Sequence, residues 1–214
     1  MMRHGMTTSA ILAALLQAGA ADHSSASAET LARRIEEHHG RVPGLTARFV
    51  QTYRSAVLGR EIVERGVVSI KRPGRMRWEY REPEPKTFVS DGKTFYFYVP
   101  ADRQVIVRDQ VAGERSIPAL LLSGRGDLLD QFEPCLAPSP PGRWRLRLTP
   151  RKPEPEVESV LVEVDESYEI RSIEIEDAQG NFSRFRFDDV RPDASLPDRL
   201  FRFEIPRGVE VVAG

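Results

Sequence analysis

Residues 67–107 read VVSIKRPGRMRWEYREPEPKTFVSDGKTFYFYVPADRQVIV, and this stretch decides the fold. It is rich in β-branched and aromatic side chains and punctuated by Gly and Pro, so it reads as short strands joined by tight turns. The expected strands are Ile62 to Arg72, Arg75 to Arg81, Thr87 to Ser90, Lys93 to Val99 and Gln104 to Arg108. Asp91-Gly92 is a two-residue hairpin turn, and Pro100 to Arg103 turns the chain again. In an ordinary half-exposed strand one face is apolar and the other polar. Here Phe95 and Phe97 point one way while Tyr96 and Tyr98 point the other. Such a sheet needs a cover on each side, either a second protein layer or a bound apolar ligand.

Working outward, Leu31 and Ile35 sit at helical spacing between charged positions, so Ala28 to His39 is an expected helix with Gly40 as its stop. Leu45 to Tyr53 alternates as a strand. Ile117 to Phe132 (IPALLLSGRGDLLDQF) lacks alternation and reads as two short helices broken at Gly124-Arg125-Gly126. Pro134 to Gly142 is an expected proline-rich loop, excluded from a sheet interior. Alternation then returns at Trp144, Leu146 and Leu148, at Val160, Val162 and Val164, at Ile173 and Ile175, at Phe185 and Phe187, and at Phe201, Phe203 and Ile205. Ala178 to Asn181 is the turn of a hairpin. With no βαβ rhythm, the expectation is one large antiparallel sheet of about 10–11 strands and few helices.

The 214 residues carry 31 basic and 32 acidic side chains, a net charge of −1. That balance supplies no basic surface for phosphates, so nucleic acid is not an expected partner. Arg3 and His4 precede the apolar run Ala10 to Leu16, and Ala18-Gly19-Ala20 offers a small-residue cleavage site, the pattern of a secretory signal. The run is too short to span a bilayer, which takes about 20 residues. The single cysteine, Cys135, leaves no internal disulfide and no acylation site just after the leader. The expected organisation is a signal peptide and leader over 1–28 and one domain over 29–214, exported and unanchored.

No catalytic constellation stands out. The motif patterns of nucleophile elbows, paired zinc-binding histidines and phosphate loops do not occur. His38 and His39 are adjacent on the expected helix and diverge by about 100°, so they read as surface histidines and not as a metal pair. Asp188-Asp189 and Asp165-Glu166 fall on opposite faces of their strands. Arg125-Gly126-Asp127 reads as a turn. Catalytic residues, cofactors and metal ligands are therefore not expected. Apolar positions such as Phe49, Met76 and Trp78 would look the same lining a cavity or filling a core.

Arg72-Pro73-Gly74-Arg75-Met76-Arg77-Trp78-Glu79-Tyr80, then Val89-Ser90-Asp91-Gly92-Lys93-Thr94, then Leu121-Leu122-Ser123-Gly124 with Asp127-Leu128-Leu129, resemble the outer-membrane lipoprotein carrier (LolA) family in order and spacing. The resemblance runs from about Leu31 to Val212. It implies a mainly β fold, an incomplete antiparallel barrel whose concave apolar face is covered by a short helical lid. It also implies a monomeric periplasmic carrier that binds the acyl chains of lipoproteins. Its implied partners are an inner-membrane lipoprotein-releasing ABC transporter and an outer-membrane lipoprotein receptor. The family's lid-gating arginine maps to Arg72, and the implied acyl-binding positions are Phe49, Val68, Ile70, Met76, Trp78, Tyr80, Phe95, Phe97, Leu120 and Leu122. Related half-barrels act as envelope sensors or scaffolds, which stays open as an alternative; a hydrolase with an unrecognised site is a more distant one. The chain departs from some carriers by ending at Gly214 soon after its last expected strand, and by its proline-heavy loops at Pro134 to Gly142 and Pro150 to Pro155.

Overall fold

A computed structural model describes residues 27–109, 116–124 and 128–213. Residues 1–26 of the expected leader and the Arg125-Gly126-Asp127 turn lie outside these residues, whereas 27 and 28 of that leader begin a helix. Helix α1 occupies residues 27–41. It is followed by the meander β1 (Gly44–Arg54), β2 (Glu61–Lys71), β3 (Arg75–Glu82), β4 (Lys86–Asp91), β5 (Thr94–Val99) and β6 (Gln104–Asp109). Two short helices, α2 (Ile117–Ser123) and α3 (Leu128–Gln131), lead into a second meander. That meander is β7 (Phe132–Ala137), β8 (Arg143–Pro150), β9 (Ser159–Asp165), β10 (Ile170–Glu176) and β11 (Phe182–Pro192). A 3-10 turn, Asp198–Phe201, precedes the last strand, β12 (Glu210–Ala213).

All twelve strands form one open sheet in the order β12-β6-β5-β4-β3-β2-β1-β11-β10-β9-β8-β7. The two meanders join through the antiparallel pair β1–β11, and the edges β12 and β7 do not pair. Only β12 runs parallel to its neighbour, β6. Alternation explains the curved interior. Leu45, Ala47 and Phe49 of β1 point inward with Val68 and Ile70 of β2, Trp78 and Tyr80 of β3, and Phe185 and Phe187 of β11. Val160, Val162 and Val164 of β9 and Ile170 and Ile173 of β10 are also fully buried. Ala28, Leu31, Ala32 and Ile35 of α1 and Leu120 to Leu122 of α2 cover this concave side and belong to the same core. Gly66 of β2 lets the sheet close over an aromatic ring: a Cβ there would sit 2.7 Å from the Phe49 ring and 2.0 Å from the Glu79 carbonyl.

The apolar second face of β5 is covered by protein. Phe203 packs on Tyr96 and Tyr98, with centroids 5.4 and 5.5 Å apart. This overturns the expected strand over Phe201 to Ile205. Pro197 and Pro206 bracket that segment and remove ladder donors, so it crosses the outer face as a 3-10 turn and an irregular strap. Phe132 belongs to β7 and not to a helix, and Pro134 to Ala137 continue that strand instead of looping. The proline is accommodated because β7 is an edge strand, paired with β8 alone. No described helix is long and apolar enough to cross a membrane.

Candidate functional site

Arg72 follows the last residue of β2, and its backbone N–H donates to the Pro43 carbonyl at 3.0 Å. From there its Nη2 donates to two main-chain carbonyls, those of His39 and Ser123. Both acceptors sit in the final turns of helices, where carbonyls lack intrahelical partners and the helix dipole favours a cation. Gly124 caps α2 in the left-handed conformation, φ 53°, with its N–H on the Leu121 carbonyl. A Cβ at Gly124 would lie 2.5 Å from the Gly40 nitrogen, so the end of α2 rests directly on the end of α1. One guanidinium therefore ties α1, α2 and the β2–β3 turn together. Leu120, Leu121 and Leu122 are all buried, and in this arrangement α2 is closed onto the sheet.

At the other end of α2 the described residues leave the interior unfilled. A half-open cavity of about 690 Å³ is lined by Met76, Trp78, Tyr80, Phe88, Phe95, Ile117, Pro118, Val157, Ile175 and Phe185. That volume falls within the roughly 300–1,000 Å³ of small-molecule pockets. Its polar lining comes from Ser116 and Ser183 and from the charged groups Arg108, Asp109, Glu154 and Glu156. Tyr80 carries the one buried phenol of the wall. Its hydroxyl donates to Gln51 Oε1 at 2.6 Å, and Gln51 Nε2 donates to Ser183 Oγ at 3.0 Å. Burial, with the nearby Glu64 carboxylate, pushes the Tyr80 pKa well above the ordinary phenol value, so this group stays a neutral donor.

Of the ten expected acyl-binding positions, Met76, Trp78, Tyr80 and Phe95 line the cavity. Phe49 lies behind the wall, 5.0 Å from the Trp78 ring and 4.8 Å from the Tyr80 ring. Phe97 stacks on Phe88 at 4.3 Å. Val68, Ile70, Leu120 and Leu122 sit in the packed core. Among the wall residues that sequence reasoning missed, Phe88 carried a local signal and Phe185 did not. Phe88 pairs with Trp78 and with Phe97 across the ladders, and the Asp91-Gly92 turn between β4 and β5 fixes the register of the second pair. Phe185 sits opposite Gln51 because β11 pairs with β1, a long-range partner that local patterning does not name.

His39 corrects the reading of both histidines as surface groups. It is 1% exposed, because the end of α1 is buried under the Tyr168–Glu169 turn and the α2 terminus. His38 stays partly exposed and reaches Glu169 Oε2 at 3.3 Å. The only cluster of potential metal ligands among the described residues is His38, His39 and Glu169, whose ligand atoms lie within 4.8 Å of one another.

The profile of the family described as outer membrane lipoprotein carrier protein LolA matches residues 41–204. The chain is 33% identical over 147 residues to the outer-membrane lipoprotein carrier protein of Dechloromonas aromatica, spanning 69% of this chain and 70% of that one. It is 32% identical over 187 residues to the protein of the same name from Bordetella pertussis, spanning 86% and 87%. Among solved structures it is similar to the LolA superfamily protein NE2245 from Nitrosomonas europaea, with TM-score 0.47 and 16% identity over 82% of this chain and 97% of that chain. It is also similar to a chain of the Pseudomonas aeruginosa MucA/MucB complex, with TM-score 0.49 and 15% identity over 81% and 60%. From the profile match and the two sequence relatives, the chain belongs to the outer membrane lipoprotein carrier protein LolA family.

Proposed function

We propose that this protein is a periplasmic carrier that shelters the acyl chains of lipoproteins between the concave face of the sheet and helix α2. In this reading Arg72 is the lid-gating residue. The wall of Met76, Trp78, Tyr80, Phe88 and Phe95 takes the first acyl methylenes. Phe49, Val68, Ile70, Phe97, Leu120 and Leu122 become available as α2 lifts. The observation that carries the reading is a helix with two unlike ends. Ile117 and Pro118 border an apolar cavity, while Ser123 is held by a single cation.

Magnitudes favour a reversible device. Acyl chain burial is worth about 0.8 kcal/mol per methylene, so a multiply acylated protein cannot cross water bare. Lifting α2 exposes three leucines, at about 1.5–3 kcal/mol each. It also breaks two charge-assisted hydrogen bonds, each worth about 1.5–3 kcal/mol. Roughly ten to twenty buried methylenes, no more than a multiply acylated cargo carries, offset that on the same scale. Cargo therefore opens the lid, and its departure lets α2 return. An inner-membrane ABC transporter would supply the loading energy, and an outer-membrane receptor would accept the cargo. Export follows from the leader pattern over Arg3 to Ala20.

The test is binding of an environment-sensitive apolar dye to purified protein, followed by competition with a triacylated peptide. The reading expects saturable binding and displacement by the acylated peptide, with none by its unacylated form. Equal displacement by both peptides would overturn it.

A further inference from the structure

Beneath the Arg72 contacts lies a polar cluster that acyl binding does not use. His39 is buried, and neither of its ring nitrogens makes a hydrogen bond. The Tyr168 carbonyl faces the ring without reaching hydrogen-bond geometry. Glu169, on the turn between β9 and β10, leaves its buried Oε1 equally without a partner. Buried polar atoms are almost always satisfied, and an unsatisfied set points to a missing ion or water. His38 and His39 are the only basic side chains among the described residues that reach the Glu169 carboxylate, at 3.3 and 3.7 Å.

We propose that His38, His39 and Glu169 form a divalent-cation site of zinc chemistry, which pins the end of α1 to the β9–β10 turn. Two imidazoles and one carboxylate are a zinc-type donor set, whereas calcium and magnesium favour sites built of oxygen. Metal–ligand bonds of about 2.0–2.1 Å in a tetrahedron place neighbouring donors roughly 3.3 Å apart. His38 Nε2 lies 3.3 Å from Glu169 Oε2 and His39 Nε2 lies 3.7 Å from Oε1, so the carboxylate already faces both imidazoles at about that spacing. The remaining histidine–histidine gap, within 4.8 Å, closes by small ring rotations.

Adjacency on the helix does not forbid this arrangement. The two rings stand edge to face with centroids 5.0 Å apart, and both Nε2 atoms reach a carboxylate contributed by a different element. His38, with its side chain 29% exposed, gives solvent a route to the site. The Arg72 charge nearby is opposed by the Asp165 carboxylate and by Glu169, whose Oε1 lies 3.7 Å from His39 Nε2. The consequence reaches the lid. The His39 carbonyl that accepts the Arg72 bond belongs to a metal-ligating residue, so the cation fixes the platform on which α2 is held.

The experiment titrates zinc chloride into chelator-stripped full-length protein and follows heat and thermal unfolding. The expected result is one saturable equivalent and a Tm rise of roughly 5–10 °C at a hundredfold excess over Kd. Glu169→Gln and His38→Gln should each weaken binding at least tenfold while leaving the metal-free urea midpoint nearly unchanged. Magnesium and calcium should give no shift. Absence of saturable zinc binding, binding that survives in Glu169→Gln and His38→Gln, or an equal response to magnesium overturns the assignment. None of these readings depends on acyl-chain binding.

Discussion

The Arg72 guanidinium donates to the Ser123 carbonyl, so a residue at the end of β2 holds the last residue of α2 across 51 positions of sequence. It reaches the His39 carbonyl in the same way. This bridge is where strand patterning, helix termination and the proposed transport cycle meet.

Arg72→Leu removes both bonds and leaves two helix-end carbonyls without that donor. Charge-assisted bonds of about 1.5–3 kcal/mol each shift the lid equilibrium at least tenfold toward open. Amide exchange over residues 117–123 should rise by that factor, and acylated peptide should load but transfer onward slowly. Unchanged exchange in those residues would remove the gating role.

Phe88→Glu places a carboxylate in the cavity wall, where it faces Tyr80, Phe95 and Phe97. Affinity for an acylated peptide, measured by dye competition, should fall by at least tenfold, because acyl carbon cannot offset the desolvation of the charge.

Gly124→Ala is costly for two reasons: its φ of 53° and a Cβ placed 2.5 Å from the Gly40 nitrogen. A left-handed alanine costs about 1–2 kcal/mol before any clash. The urea midpoint should drop accordingly, and dye binding should increase as the α2 terminus lifts off α1.

His39 gives metal-free protein a defined acid sensitivity. Its folded pKa of about 3 lies below the ordinary value of 6.5. Between those values the unfolded chain takes up a proton that the folded chain refuses. The contribution to stability is therefore complete above pH 6.5 and declines as pH falls toward 3, by up to about 1.4 kcal/mol per unit. Asp165 titrates lower. Burial works against its charge, but the Ser167 hydroxyl and Arg171 hold it down to about 2 from 3.8, so its loss begins below the range of pH 7 to 4.5 over which His39 is read. Urea midpoints from pH 7 to 4.5 should fall in the native protein and flatten in His39→Gln.

Much of this arrangement was legible from residue order because strand alternation is local. The hairpin at Asp91-Gly92 sets the register that brings Phe88 beside Phe97, and the β3–β4 hairpin brings Trp78 beside Phe88. The tyrosine face of β5 marked a need for cover, and Phe203 meets it. What escaped was set by distant parts of the chain. The alternating phenylalanines at 201 and 203 look like a strand until Pro197 and Pro206 are weighed together. Burial of His39 depends on Glu169 and on the end of α2, neither of which is near it in sequence. The division of apolar residues between cavity wall and packed core follows from where α2 comes to rest, and no periodicity encodes that.

Acyl binding beside Trp78 can be read from its own indole. The chain has two tryptophans, and Trp144 is half exposed, so Trp144→Phe leaves Trp78 as the sole reporter in the cavity wall. A triacylated peptide brominated along its chains should quench that fluorescence saturably, and the unbrominated peptide should compete the effect away. Quenching no greater than that produced by a brominated peptide lacking acyl chains would contradict the account.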